Sequence, residues 1–220
     1  MELLEAIQAR HSVRAYSDMI IEPEKKQVLL DKIDEINKES GLHIQLISDE
    51  PKAFDGFMAH YGKFSGVTNY IALIGKKTNA LSEKCGYYGE QLVLLAQQLG
   101  LNTCWVAMSY TKVRSAYKID AGEKLVVVIS LGYGSTQGVA HKSKQVENVS
   151  GADAAADWFT RGVEAALLAP TAMNQQKFRF EKKGGKVRAS AGTGFYSKVD
   201  LGIAKLHFEI GAGKDNFRWA

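Results

Sequence analysis

Arg10, Ser12 and Arg14 fall at alternate positions of the stretch RHSVRAYSD, residues 10–18. In an extended chain alternate side chains leave the backbone on the same side, so these three would converge. Two planar guanidinium forks beside a hydroxyl form a donor set suited to a phosphate. The same residues also suit a surface strand whose arginines pair with nearby acids, Asp18 or Glu22. A second stretch, ALLAPTAMNQQKFRF at 166–180, runs from an apolar helix into small and amide residues: Thr171, Ala172, Asn174, Gln175 and Gln176. Pro170 pushes Ala169 out of helical geometry and leaves the backbone groups beyond it available to a ligand. Amide side chains both donate and accept, as the edge of a heterocycle with alternating carbonyls and nitrogens demands. PTAMN would equally serve as a helix stop followed by a cap.

Other reactive constellations are sparse. His11, His43, His60, His141 and His207 are dispersed without metal-ligand spacing, so no metal site is expected. Cys85 and Cys104 form neither a metal motif nor a disulfide framework and read as buried thiols of a reducing compartment. GYGSTQG at 132–138 lacks the lysine and following helix of a phosphate loop and reads as a strand end with a turn. Phe57, Tyr61, Phe64 and Trp105 are candidates for the mouth of a ligand site, or for plain core.

These groups need elements to position them. Residues 2–9 read as a helix with Leu3, Leu4 and Ile7 on one face, and 22–40 as a second helix entered near Pro23 and stopped by Gly41. Residues 42–47 and 68–75 read as strands, with a glycine-punctuated loop and partial helix at 54–67 between them. The run at 82–100 is apolar nearly all round, which predicts a helix in the middle of the fold, capped at Gly100. EKLVVVISLGYG at 123–134 is rich in β-branched residues and predicts a central strand. After a linker at 135–152 come a helix at 157–169, a hairpin at 178–190 turning on Gly184 and Gly185, and an apolar helix at 198–213. Residues 87–102 and 199–215 share glycines at 89/202 and 100/213, a weak internal repeat that suggests two related lobes.

The chain of 220 residues, 45% hydrophobic with three prolines, has the composition of a globular protein. Its opening lacks the basic start and apolar run of a signal peptide, and no stretch of about 18 apolar residues suggests a spanning helix. A cytoplasmic protein with no membrane association is expected. The formal charge of +4 is too mild and scattered to indicate nucleic acid, but suits an anionic small ligand.

RHSVRAYSD, APTAMNQQKFRF, the helix leading into GLNTCWVAM, and VVVISLGYG together resemble signature segments of the FMN-dependent nitroreductase family. The resemblance implies an α+β fold, with a mixed or antiparallel sheet flanked by helices. It implies FMN as cofactor, with its phosphate on Arg10, His11, Ser12 and Arg14, aided by Lys142 or Lys144. Val106, Ala107 and Met108 match the segment whose backbone lies near the flavin N5, and Pro170, Thr171, Ala172 and Asn174 match a second flavin-contacting block. It also implies hydride transfer from NADH or NADPH through FMN to an electron-poor acceptor such as a nitroaromatic or quinone, in ping-pong fashion. No side chain would be catalytic in itself.

One departure stands out. In ordinary members the second block follows the arginine segment closely, whereas here it arrives about 160 residues later and DEINKESGLHIQLI occupies the early position. Because the two segments at one flavin come from different subunits of the usual homodimer, this order resembles a dimer folded into one chain. Residues 1–150 would serve as one nitroreductase-like lobe and 151–220 as an abbreviated second, a monomer acting as an internal pseudo-dimer with one flavin per chain. The alternative is a non-catalytic flavin- or anion-binding scaffold of the same fold.

Overall fold

A computed structural model gives the fold of the chain and describes residues 1–151 and 156–220. The class is α+β. Two compact units share the chain: one comprises Arg10–Leu81 and Leu92–Val139, the other Met1–Ala9, Ser82–Gln91 and Ala140–Ala220. The long helix α4 (Leu81–Gln98) contributes its first half to the latter and its second half to the former.

The first unit is built on an antiparallel sheet of β1 (Gln45–Ile47), β2 (Asn69–Lys76), β3 (Asn102–Val106) and β4 (Glu123–Gly132), in the order β1-β2-β4-β3. The β-branched run of β4 lies between β2 and β3, as expected for a strand buried on both faces. Helix α2 (Pro23–Ser40) starts at Pro23, whose missing N–H is harmless in a first turn, and the Gly41 N–H closes its end on Asn37 O at 3.0 Å. Between β1 and β2 the glycine-punctuated stretch forms one short helix, α3 (Phe57–Tyr61). Val13, Phe54, Phe64, Tyr70 and Val128 are among the residues of the core.

The second unit holds α1 (Leu3–Ala9), α5 (Val146–Val149), α6 (Asp157–Leu167) and α7 (Ser197–Ala212). Beside them lies a small sheet of β5 (Phe178–Lys183), β6 (Lys186–Ala191) and β7 (Arg218–Trp219). The hairpin turns at 184–185 as its glycines predict, and β7 adds parallel to β6. Helix α1 departs from expectation. Ala6 and Ile7 are buried but Leu3 and Leu4 face outward, so its inner stripe is narrower than the apolar spacing suggested. The expected linker also carries α5, and its last residue, 152, lies outside the described residues.

Aromatic rings dominate this unit's core. Phe208 of α7 stacks on Phe180 of β5 at 4.6 Å between centroids and meets Phe159 and Phe217 edge-on. Helices α4 and α7 cross closely: a Cβ on Gly86 would stand 2.0 Å from Val199 O, and one on Gly202 2.0 Å from Glu83 O. Glycine is therefore required at both positions by space alone. The partner of Gly202 is Gly86, one turn before the Gly89 that the repeat aligned with it. Nearby, the buried His207 ring donates from Nδ1 to Ala165 O at 3.1 Å and meets Glu90 Oε1 through Nε2 at 2.9 Å. A fully buried polar pair is tolerated because each ring nitrogen has a partner.

Candidate functional site

In the first unit, residues 10–17 are extended and bonded through the backbone to three neighbours. Val13 N donates to Thr103 O of β3 (3.0 Å), Tyr16 N to Ser65 O (3.0 Å), and Ser17 N to Tyr133 O (2.8 Å). The Tyr16 hydroxyl donates to Val13 O (2.9 Å) and shares a hydrogen bond with Ser130 Oγ (2.8 Å), pinning the segment over β4. Burial holds the Tyr16 phenol well above its ordinary titration range.

All three alternate residues act on the buried Cys104 thiol. Burial pushes that thiol up, while the Arg14 charge, a hydrogen bond with the Ser12 hydroxyl and the Arg10 charge pull it back. Arg10 is buried, Ser12 half-buried and Arg14 exposed. Burial thus does not follow the uniform face that strict alternation would give. Among the described residues Arg14 forms no ion pair, and Glu22, one of the acids at hand, is engaged by Lys25 at 3.4 Å and by Tyr133.

Arg14 lies over the Phe64 ring, 5.9 Å from its centroid. It borders a cavity of about 370 Å³ walled by Tyr61, Phe64 and Trp105, with Lys63 and Ala107 at its margin and no acidic residue in its lining. Rings and two cations around one hollow suit a flat anionic ligand. Of the aromatic candidates only Phe57 stands apart, 82% exposed on α3. Met108 is also exposed, just beyond the end of β3. The GYGSTQG loop closes on the arginine segment: a Cβ on Gly138 would lie 2.8 Å from His11 Cβ and 3.0 Å from Ser12 O. Asn102 fixes that loop by accepting from Gly134 N (2.9 Å) and donating to Gln137 Oε1 (3.1 Å).

In the second unit Ala169 and the buried Pro170 end α6, and residues 171–176 form a tight turn with a single 3-10 turn at Ala172–Asn174. Met173, Asn174 and Gln176 all have positive φ (51°, 51° and 45°), a region costly for residues with a Cβ. A web of side-chain bonds holds it. Gln176, 2% exposed, donates to Lys142 O (2.8 Å) and Asn174 Oδ1 (2.7 Å) and accepts from Lys144 N (2.8 Å). Asn174 Nδ2 also donates to Lys142 O (2.9 Å), and Thr171 Oγ1 accepts from Gln176 N (3.1 Å). The basic segment and the amide block are therefore brought together.

The amides are engaged within the turn rather than held out toward a heterocycle: the buried Gln176 must satisfy its donors and acceptor there, and Asn174 and Gln175 bond to neighbouring groups although less buried. Lys144 is likewise engaged, its ammonium on Gln175 O (2.8 Å) and Gln176 O (3.0 Å), whereas Lys142 extends an exposed side chain. Gln176, read from the sequence as one of the ligand-facing amides, is instead the hub of the turn. One participant escaped the sequence reading: Asp200 of α7, which accepts from Ala172 N (3.0 Å) and Gln175 Nε2 (2.6 Å). The available signal for Asp200 was a carboxylate set between the apolar Val199 and Leu201.

A third cluster lies in the first unit. His43, Asp120 and Glu123 bring ligand atoms within 4.8 Å of one another, a proximity that chain spacing concealed. His43 Nδ1 meets Glu123 Oε2 at 2.8 Å, and Lys118 Nζ stands 3.0 Å from Asp120 Oδ1. Its carboxylates already have partners within the cluster, the arrangement of a local hydrogen-bonded network.

Neither cysteine forms a disulfide, and both are buried. Among the described residues no helix is long and apolar enough to cross a membrane.

A family model described as "Putative TM nitroreductase" matches residues 2–212. No curated protein matches the chain. A solved structure named "putative nitroreductase", from Thermotoga maritima MSB8, is 24% identical with a TM-score of 0.68, covering 98% of this chain and 85% of its own. An FMN-dependent nitroreductase of Clostridium difficile R20291 is 20% identical with a TM-score of 0.50, covering 62% of this chain and 90% of its own. A Bacteroides thetaiotaomicron structure named for NADH dehydrogenase/NAD(P)H nitroreductase gives 22% and 0.54, with 67% and 95% covered. At these identities the likeness is one of fold.

Proposed function

The chain belongs to the nitroreductase family whose model spans residues 2–212, a family of oxidoreductases, and from that membership we propose that it binds FMN and uses it as its redox centre. The observation that carries this reading is that Arg10, Ser12 and Arg14 all act on one buried thiol, and that Arg14 borders a cavity lined with rings and cations but no acid. That donor set fits a planar cofactor ending in phosphate.

In this reading Arg10, Ser12 and Arg14 hold the phosphate, with His11 contributing at the point where the Gly138 loop closes over it. Backbone groups of Ala107 and Met108 face the N5 edge, and Tyr61, Phe64 and Trp105 keep water from the ring. The segment Pro170, Thr171, Ala172 and Asn174 is a second flavin-contacting element. The exposed Lys142 supplies its charge, and Lys144 acts by bracing the turn. The chemistry FMN supplies when bound is hydride exchange between NADH or NADPH and an electron-poor acceptor such as a nitroaromatic or quinone. No protein acid, base or nucleophile is assigned.

The arginine-serine-arginine segment occurs once, which fits one flavin per chain in a fused pair of subunit-like halves, 1–150 and 151–220. The test is an absorbance spectrum followed by anaerobic titration. A protein with about one flavin per chain should bleach with NADH or NADPH and recolour with a quinone. Two flavins per chain would defeat the fused-pair reading, no flavin would defeat the cofactor assignment, and flavin that never bleaches would identify a non-catalytic scaffold.

A further inference from the structure

We propose that Asp200 is a positioning residue for the flavin-contacting turn, and that protonation of its carboxylate loosens the turn and with it the hold on the cofactor. This inference rests on the flavin reading of residues 170–174.

The turn cannot be self-supporting, because three of its residues with a Cβ stand at positive φ. Its geometry has to be imposed by neighbours. Most of those bonds come from the irregular stretch at 142–144. Asp200 differs in belonging to a long packed helix, α7, and it holds the turn at two places at once: Oδ1 takes Ala172 N–H and Oδ2 takes Gln175 Nε2. The second hydrogen of that amide nitrogen goes to Phe195 O at 2.8 Å, so the Gln175 side chain cannot flip without placing its oxygen against a carbonyl. Both partners of Asp200 are therefore obligate donors.

A carboxylate satisfies two donors, whereas a protonated carboxyl carries a hydrogen of its own and must give up one of them. Asp200 is 3% exposed, and burial raises its pKa to about 6, against the opposing hydrogen bonds from Gln175 and Ala172. Among the described residues no cation offsets that burial. On the 141–144 stretch His141 bonds to Leu167 O and Lys144 to turn carbonyls; on the turn itself Lys177 bonds to Thr193 O. On the helices, Lys205 pairs with Glu83, and Lys198 and Glu164 point outward. The carboxylate thus changes charge in a range where the protein can work, and its two bonds depend on the charged form.

The test uses the full chain, with FMN affinity measured by fluorescence quenching from pH 5 to 7.5 and exchange of the Ala172 amide followed in parallel. The flavin phosphate titrates in the same window, so the effect is read as a difference from Asp200→Asn. The wild type should lose roughly tenfold more affinity than Asp200→Asn on going to pH 5, as expected when a charge-assisted hold is reduced to a neutral one. Asp200→Glu should restore the slope, because it restores the ionisable group. The Ala172 amide, corrected for intrinsic exchange, should be protected at pH 7.5 in the wild type and exposed in Asp200→Asn. Equal pH slopes in wild type and Asp200→Asn would overturn the proposal. Should the chain take up no FMN at all, the flavin reading fails, and amide exchange alone decides the positioning role: equal protection in both proteins overturns it, unequal protection upholds it.

Discussion

The extended segment at 10–17 and the turn at 171–176 reach their shapes by opposite means. The segment is held through its backbone, with β3, residue 65 and the 133–135 loop each taking a hydrogen bond, so Arg14 and the Ser12 hydroxyl are not needed to keep it in place. The turn is held through its side chains. Gln175, Gln176, Asn174 and Asp200 all bond within or onto it to enforce three unfavourable backbone conformations. Where the backbone carries the geometry, side chains remain available to a ligand. Where side chains carry it, the ligand meets the backbone and whatever projects outward, here Met173 at 80% exposure.

The sharpest way to break this comparison is to remove charge from the segment. Arg10→Ala with Arg14→Ala should weaken FMN binding by about 3–6 kcal/mol, since each charge-assisted contact contributes roughly 1.5–3 kcal/mol. Flavin content after purification, read beside the melting temperature, checks it. Arg14→Ala alone isolates the charge, because that exposed side chain leaves no buried gap, and it should lower flavin retention with little change in melting. Flavin content equal to wild type in both would refute the phosphate assignment.

The turn should respond in the reverse order, with stability first. Gln176→Ala removes a buried side chain and its three hydrogen bonds, to Lys142 O, Lys144 N and Asn174 Oδ1, and should destabilise the fold by roughly 1–3 kcal/mol, measured by urea denaturation. Asp200 adds a pH signature of roughly 3 kcal/mol, from a pKa near 6 in the folded chain against 3.8 in the unfolded one. Its folded pKa is the raised one, so its contribution to stability is complete below pH 3.8 and is lost as the pH climbs through 6. The stability difference between wild type and Asp200→Asn should therefore fall by that amount between pH 3.5 and 7. A constant difference would show that Asp200 ionises as it does in the unfolded chain. The local effect has the opposite sign, since the ionised group holds the turn more tightly while costing the fold more.

Much of the scaffold was legible because its signals are local. The β-branched run at 125–130 demanded a central strand, Gly184-Gly185 a hairpin, and Pro23 and Gly41 the two ends of a helix. The arginine segment was legible for the same reason: alternation along an extended chain is a short-range property. The turn was only half legible. Pro170 marks the break, but that Gln176 would be buried and its amide saturated depends on residues about 34 positions earlier, and the role of Asp200 on bonds between that helix residue and partners 25 and 28 positions before it. The cluster of His43 with Asp120 and Glu123 was hidden similarly, since His43 lies 80 positions before Glu123.

The smallest effect tests the comparison most finely, because it perturbs the loop packed on the segment without replacing any of the segment's own residues. Gly138 has φ +72°, and a Cβ there would meet His11 Cβ at 2.8 Å and Ser12 O at 3.0 Å. Gly184 has φ +60° but nothing within 4 Å of the corresponding position. Both changes to Ala force a residue with a Cβ into left-handed geometry, at about 1 kcal/mol of stability each. Only Gly138→Ala also pushes the loop off the arginine segment. It should therefore show a few-fold loss of FMN affinity that Gly184→Ala lacks, read by flavin titration of the two variants side by side. Equal affinity in both would mean that the loop does not fix the segment, and that the order of Arg10, Ser12 and Arg14 is set by the sheet alone.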